Sequence, residues 1–275
     1  MSQVKIYPIS DLHFRSTIDA IDWAKEEIPK DVDIIVMAGD IANGAKQGVK
    51  YLKQVLQTLP DKHIILCLGN HDYWGEVSLY STWYRWRELE NLYPNFHFVD
   101  RDYVDILGVR FIGGTLWTDM QLEDTFYVTQ NVYHCKWPDY LNVGFDAHIV
   151  GFPAHEFVQQ FKLYLSRIFE LVSDAVEEGI PFYVLTHHLP DPESLDKRYN
   201  GSAFNAFYAS KQILENLPVE KGIWHHGHTH AAKNYHKHGW NVICNPRGYL
   251  MERFSCDVSD KERLADKNLI LTIGE

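Results

Sequence analysis

The chain has 275 residues, is 45% hydrophobic and carries a formal net charge of -11. That length and apolar content suffice for a sizeable core, while the acidic balance argues against a broad duplex nucleic-acid surface, which needs clustered Lys and Arg. No stretch approaches the roughly 18 apolar residues of a membrane span, the N-terminus lacks the basic and apolar regions of a signal peptide, and the four cysteines form no CxxC pair, so the expectation is a cytoplasmic protein without a disulfide framework or a cysteine zinc site.

The first element, "VKIYPISDLH" at 4–13, is a short apolar run ending abruptly in polar residues. The same shape returns in "DIIVMAGD" (33–40), "HIILCLGNHD" (63–72), "PFYVLTHH" (181–188) and "GIWHHGHTH" (222–230). Near-continuous Val, Ile and Leu without alternation predicts strands covered on both faces. Between these runs the apolar spacing predicts helices over 18–28, 46–59, 77–92 and 153–178, and a shorter one over 204–217. "FHFVD", "YVDILGVRFIGG", "KNYHKHGWNVICN" and "NLILTIG" read as hairpin-type strands, so the sheets are expected to be mixed. Strand then helix, repeated without an internal repeat or low-complexity tract, predicts a layered α/β sandwich in a single domain, 1–275. The least regular part, 119–151, carries Phe126, Tyr127, Tyr133, Trp137, Tyr140 and Phe145 without clean period. It reads as an aromatic loop or cap, either a flap over a pocket or a dimer surface.

The 15 histidines are unevenly spread: His187 and His188 are adjacent, and "WHHGHTH" (224–230) holds four. Local enrichment of this kind suggests metal before packing. The polar residues at the carboxyl ends of the predicted strands are Asp11 and His13, Asp40, Asn70 and His71, His187, then His228 and His230. In open α/β sheets that rim is where ligands bind. Residues i and i+2 of an extended segment share a face, so Asp11 with His13, and His228 with His230, are expected to converge, with His226 on the same parity. Two carboxylates, one amide oxygen and four imidazoles make seven ligands with no thiolate. That is too many for one tetrahedral zinc and suits two metals bridged by a carboxylate.

These motifs, "DLH" (11–13), "GD" (39–40), "GNHD" (69–72), "THH" (186–188) and "GHTH" (227–230), resemble the DxH, GD, GNH(D/E), H and GHxH motifs of the calcineurin-like metallophosphoesterase superfamily. "GGTLWTD" (113–119) and "NPRGY" (245–249) resemble a less characterised bacterial and phage-type branch of it. The resemblance implies a four-layer α/β/β/α sandwich with two mixed sheets flanked by helices. It also implies that Asp11, His13 and His230 hold one divalent metal, that Asn70, His187 and His228 hold the other, and that Asp40 bridges them. The ions are Mn, Fe, Zn or Ni, with Mn favoured in vitro.

Two divalent cations about 3.5 to 4 Å apart can share a bridging water and lower its pKa, making a hydroxide nucleophile that needs no side-chain base. Two dications set against Asp11, Asp40 and hydroxide leave a net positive pocket inside an acidic protein, which attracts phosphate locally. By resemblance His71 is the general acid for the leaving oxygen, and Asp72 beside it is expected to orient or charge that imidazole. Arg15 and Arg247 are the expected phosphate-clamping guanidinium groups, and Trp117 and Asp119 the expected pocket lining, with Tyr73 and Trp74 as further aromatic candidates. His188 and His225 read as structural or exposed. The expected substrate is a small phosphomonoester or phosphodiester, with nucleotides among the candidates and duplex nucleic acid disfavoured. The competing reading is a catalytically silent metal-binding scaffold of the same fold, which loss of His71 or of several ligands would mark.

Overall fold

The structure, a computed structural model, describes residues 3–122, 126–149, 151–254 and 264–274. The five runs expected to be covered on both faces are strands buried along nearly their whole length. β1 (Val4–Ile9), β2 (Ile34–Ala38), β3 (His63–Cys67) and β4 (Phe96–Phe98) run parallel in one sheet. The second sheet contains β5 (Asp102–Ile106), β6 (Val109–Gly114), β7 (Phe182–Thr186), β8 (Gly222–His226), β9 (Lys233–Lys237) and β10 (Trp240–Cys244). Its spatial order is β5-β6-β7-β8-β10-β9, parallel through the centre and closed by an antiparallel hairpin strand at each edge. The last strand, β11 (Leu271–Ile273), returns to pair antiparallel with the outer edge of β1.

Both sheets are therefore mixed, and alternation along the strands sorts their side chains into layers. Val4, Ile6, Ile34, Val36, Ile65 and Cys67 of the first sheet pack with Val109, Phe111, Tyr183 and Leu185 of the second in a core between the sheets. The alternate residues, such as Ile9, Met37, Ile112 and Val184, pack with helical side chains outside. α1 (Thr17–Glu26), α2 (Ala45–Thr58) and α3 (Leu79–Leu92) flank the first sheet; the long α6 (Ala154–Glu178), introduced by α4 (Phe126–Lys136) and α5 (Pro138–Asn142), flanks the second. The chain has the α/β/β/α architecture, and no helix of the described residues is long and apolar enough to cross a membrane.

Local chemistry sets the helix ends. Ser16 caps α1 by accepting from the Asp19 amide at 3.1 Å, Ser78 and Ser81 form a reciprocal capping box at the start of α3, and Gly179 closes α6 in the left-handed conformation.

Three expectations change. "FHFVD" is not part of a hairpin: α3 crosses over between β3 and β4, so β4 pairs parallel. The helix expected over 204–217 is instead a 3-10 turn, Ala203–Phe207, followed by α7 (Ile213–Asn216). Pairing of the Leu189 amide with the Tyr208 carbonyl at 2.9 Å draws the chain into an extended stretch between them. The aromatic segment carries helices, with Thr129 and Tyr133 buried one turn apart on α4. The Tyr133 hydroxyl donates to the Phe152 carbonyl at 2.8 Å. The side chains of Phe126 and Tyr127 lie outside the described residues, as does Cys256; Cys67, Cys135 and Cys244 are free thiols.

The ends of β2 and β3 meet through glycine. Gly39 has φ +83°, and a Cβ there would lie 2.5 Å from the Gly69 amide nitrogen and 2.6 Å from His187 Nδ1. Gly39→Ala is expected to cost about 2 kcal/mol from the left-handed backbone and the forced separation of these loops. Urea unfolding of the metal-free protein reads this as a lowered midpoint; an unchanged midpoint contradicts it.

Candidate metal centre

The carboxyl ends of both sheets converge. After β1 the chain is held to the β2 loop by amides of Asp11, His13 and Phe14 donating to the carbonyls of Gly39, Asp40 and Ile41 at 3.1, 2.9 and 2.8 Å. The two sheets are joined at the same place by Gly248 N–H to the Asp11 carbonyl at 3.0 Å and Arg247 N–H to the Ser10 carbonyl at 2.9 Å, while within the second sheet Gly227 N–H donates to the His187 carbonyl at 3.0 Å. Asp11, His13, Asp40, His228 and His230 all adopt positive φ, from 43° to 70°. The pairs at i and i+2 therefore converge by alternate left-handed turns and not, as expected, by strand parity; β8 ends at His226, whose Nδ1 bonds the Gly227 carbonyl at 3.0 Å and which belongs to none of the potential ligand groups. Asp and His tolerate this region better than branched residues do.

Three groups of potential ligand atoms lie within 4.8 Å of one another: Asp11, His13 and His230; Asp40, His187 and His228; and His13, Asp40 and His71. Asn70 joins the second group, its Oδ1 3.0 Å from His187 Nε2. Asp40 is the hinge of the arrangement: its Oδ2 lies 3.6 Å from His13 Nε2 and 3.4 Å from His187 Nε2, and its Oδ1 accepts the His71 amide at 3.0 Å. His187 Nδ1 donates to the Ala38 carbonyl at 2.8 Å, and His230 Nδ1 to Glu252 at 2.8 Å. Both rings thus turn Nε2 inward, as a ligating imidazole with an oriented far nitrogen does.

The donor set fits a pair of divalent cations. His13 Nε2 and His230 Nε2 face each other at 3.1 Å, and the buried Nε2 of His228 has no hydrogen-bond partner among the described residues. Imidazole and carboxylate donors without a thiolate, grouped in two sets about one shared carboxylate, match a binuclear centre better than a single tetrahedral ion.

Burial works against every charge here, and opposite charges reverse it. Burial raises the Asp11 carboxyl, but the His230 and His187 imidazoles bring it to about 2. Burial lowers His187 and His230, but Asp40 and Asp11 raise the first to about 9, and Asp11 with Glu252 raises the second to about 10. His13 goes the other way, to about 3, because burial outweighs Asp40 and the neighbouring imidazoles add to it; His228 is also lowered, by burial and by His188 and His187.

Other sequence-predicted residues have different surroundings. Asp72 does not reach His71: its Oδ2 accepts the Asp40 and Gly69 amides at 2.9 Å each and its Oδ1 the Ile41 amide at 3.0 Å, so it ties the two ligand loops together. His71 Nδ1 instead bonds Asn43 Oδ1 at 2.8 Å, and its ring stacks on Trp74 at 3.7 Å. Arg247 is buried, with Nη2 2.9 Å from both Asp19 and Glu27, and so pins α1 to the second sheet's rim instead of clamping phosphate. Arg15 is exposed and outside the cavity lining. Trp117 is fully buried against Phe152, Phe157 and His188, and Asp119 bonds Ser210 at 3.0 Å; neither lines the cavity. His188 and His225 are buried and belong to none of the metal groups, although the His188 ring packs 4.5 Å from that of His228.

The cavity at the centre measures about 350 Å³. Besides Asp40, Asn70, His71, His228 and His230, its walls include Trp74, Trp137, Asp139, Arg198, Tyr208 and Tyr249. Tyr249 lies over His13 at 4.2 Å and its hydroxyl is 3.2 Å from His71 Nε2. Sequence reasoning passed over Asn43, Asp139, Tyr249 and Glu252. Of these, Tyr249 and Glu252 stand in and just after the "NPRGY" motif, whereas no spacing signal marks Asp139.

The description of calcineurin-like phosphoesterases matches residues 4–232, and the chain belongs to that family. Family and site together define a metal-dependent phosphoesterase. An uncharacterised protein of Acanthamoeba polyphaga mimivirus is 23% identical over 271 residues, covering 89% of this chain and 91% of that one. Among solved structures, phosphopantetheinyl hydrolase from Mycobacterium tuberculosis superposes with a TM-score of 0.62 at 14% identity, covering 94% of each chain. A dimetal phosphatase from Danio rerio gives 0.51 at 14% identity, covering 88% of this chain and 86% of that one.

A raised imidazole pKa stabilises the metal-free fold fully below the unfolded value near 6.5, and that contribution is lost as pH rises through about 9 to 10. At pH 7.5 His187 and His230 are therefore protonated before metal arrives, and both must be neutral to ligate. Calorimetric titration with Mn²⁺ in buffers of different ionisation enthalpy is expected to show about two protons released per chain at saturation. No proton release contradicts this electrostatic account.

Proposed function

We propose that the protein is a binuclear metal-dependent hydrolase of small phosphomonoesters or phosphodiesters, organised as one domain. Asp11, His13 and His230 would hold one ion and Asn70, His187 and His228 the other, with Asp40 as the carboxylate shared between the two groups. The observation that carries this reading is the position of the Asp40 carboxylate between His13 and His187, with His71 at the mouth of the same cavity. When bound, the two cations supply positive charge for the phosphoryl oxygens and a water of lowered pKa as nucleophile.

The chain's own residues supply orientation and the leaving-group proton. His71 is held on both sides, by Trp74 beneath its ring and by Asn43 at Nδ1. Nδ1–H donates to the Asn43 amide oxygen, so in the imidazolium form, which carries a proton on each nitrogen, the one available for transfer sits on Nε2, beside the Tyr249 hydroxyl. From there it can pass to the departing alkoxide oxygen. Asp72 contributes indirectly: four backbone amides, of Asp40, Ile41, Ala42 and Gly69, converge on its buried carboxylate and fix the loops bearing Asp40 and Asn70. The walls formed by Trp137, Tyr199 and Tyr208 suit the organic portion of a small ester, a nucleotide among them. With a net charge of -11 and a cavity of about 350 Å³, duplex nucleic acid is disfavoured.

His71→Ala is expected to keep both metals and to lower kcat on an alkyl phosphoester by roughly 10² to 10⁴. The loss is smaller on a p-nitrophenyl ester, whose leaving group needs no proton. Steady-state kinetics of the Mn-loaded variant on both esters tests this; full turnover on the alkyl ester contradicts the role of His71.

A further inference from the structure

We propose that Asp139 is a positioning residue that fixes the amide of Asn70 with its oxygen toward the metal cluster, making the 137–142 segment part of the metal centre. The inference rests on the reading of Asn70 as a ligand. An Asn side chain has two ends of nearly equal size, and only the carbonyl end can coordinate a cation. Nothing in the "GNHD" turn itself selects that end. Asp139 does, because a carboxylate accepts and cannot donate: Asn70 Nδ2 lies 2.9 Å from its Oδ1 and 3.2 Å from its Oδ2. The amide NH₂ is thereby turned to Asp139, and Asn70 Oδ1 lies on the side of His187 Nε2, 3.0 Å away.

The carboxylate is itself locked. Asp139 is 1% exposed, and its two oxygens also accept the indole N–H groups of Trp74 at 2.7 Å and Trp137 at 2.9 Å. Burying a carboxylate among neutral donors is poor value for stability alone. Here one buried acid holds a metal ligand, the indole that stacks on His71 and the indole that walls the cavity. The segment does not depend on Asp139 for attachment: the Gly75 amide donates to the Asn142 carbonyl at 2.8 Å, and the Leu79 amide to the Phe145 carbonyl at 3.3 Å.

Asp139→Asn keeps the size of the side chain but can set an NH₂ against that of Asn70, releasing Asn70 to present its own NH₂ to the metal. Metal-free protein is titrated with Mn²⁺ by calorimetry, alongside Trp137→Phe, which removes one indole donor and leaves the Asn70 contact intact. The expected result is two ions for the wild type, with one of the two bound 10- to 100-fold more weakly in Asp139→Asn, both retained in Trp137→Phe, and similar thermal midpoints for all metal-free forms. Wild-type affinity for both ions in Asp139→Asn overturns the inference. So does an equal loss in Trp137→Phe, which assigns the effect to packing of the segment. A wild type that binds a single ion overturns the ligand reading beneath it.

Discussion

A buried carboxylate flanked by imidazoles is the constraint around which this molecule is arranged. Asp40 is 1% exposed, and an isolated charge at that depth is far costlier than the net stability of a domain can tolerate. It persists because His13 and His187 approach from opposite sheets, because the His71 amide donates to it, and because Asp72 fastens the surrounding backbone. In the metal-free state the charge is balanced by protonated imidazole. Divalent cations would replace those protons with a stronger and more localised charge.

The fold exists in a form that can meet this demand. Parallel strands place their carboxyl ends on one rim, and stacking two such sheets brings two rims together. Candidate ligands separated by more than 200 positions, such as His13 and His230, thereby become neighbours. The cost is local: five of the candidate ligands sit in left-handed backbone, and Gly39 and Gly69 leave no room for side chains where the loops cross. Strain concentrated at a ligand cluster and compensated by the surrounding sheets is the pattern of a functional site.

The layers were legible because strands buried on both faces must read as apolar runs, and the candidate metal ligands were legible because their chemistry is unusual at strand ends. Asp11, His13, Asp40, Asn70, His187, His228 and His230 carry that signal in short motifs. The backbone route that unites them was not legible: Asp and His tolerate positive φ but do not require it, so strand parity gave a plausible reason for the convergence that the geometry replaces. Arg247 shows a different failure. Proximity to a motif made it a phosphate ligand on paper, whereas the acidic face of α1, with Asp19 and Glu27, claims its charge. Asp139 lies 69 positions from Asn70 in an aromatic segment without period, and only tertiary packing reveals that its carboxylate turns the amide of Asn70.

The central claim is that one carboxylate serves two ions. Electron paramagnetic resonance of the protein titrated with Mn²⁺ reads it most directly, because ions sharing Asp40 are close enough to couple. The account predicts two Mn²⁺ per chain and a spin-coupled multiline spectrum that collapses to an uncoupled signal in Asp40→Asn. Two uncoupled ions in the wild-type protein, or saturation at one, would contradict it.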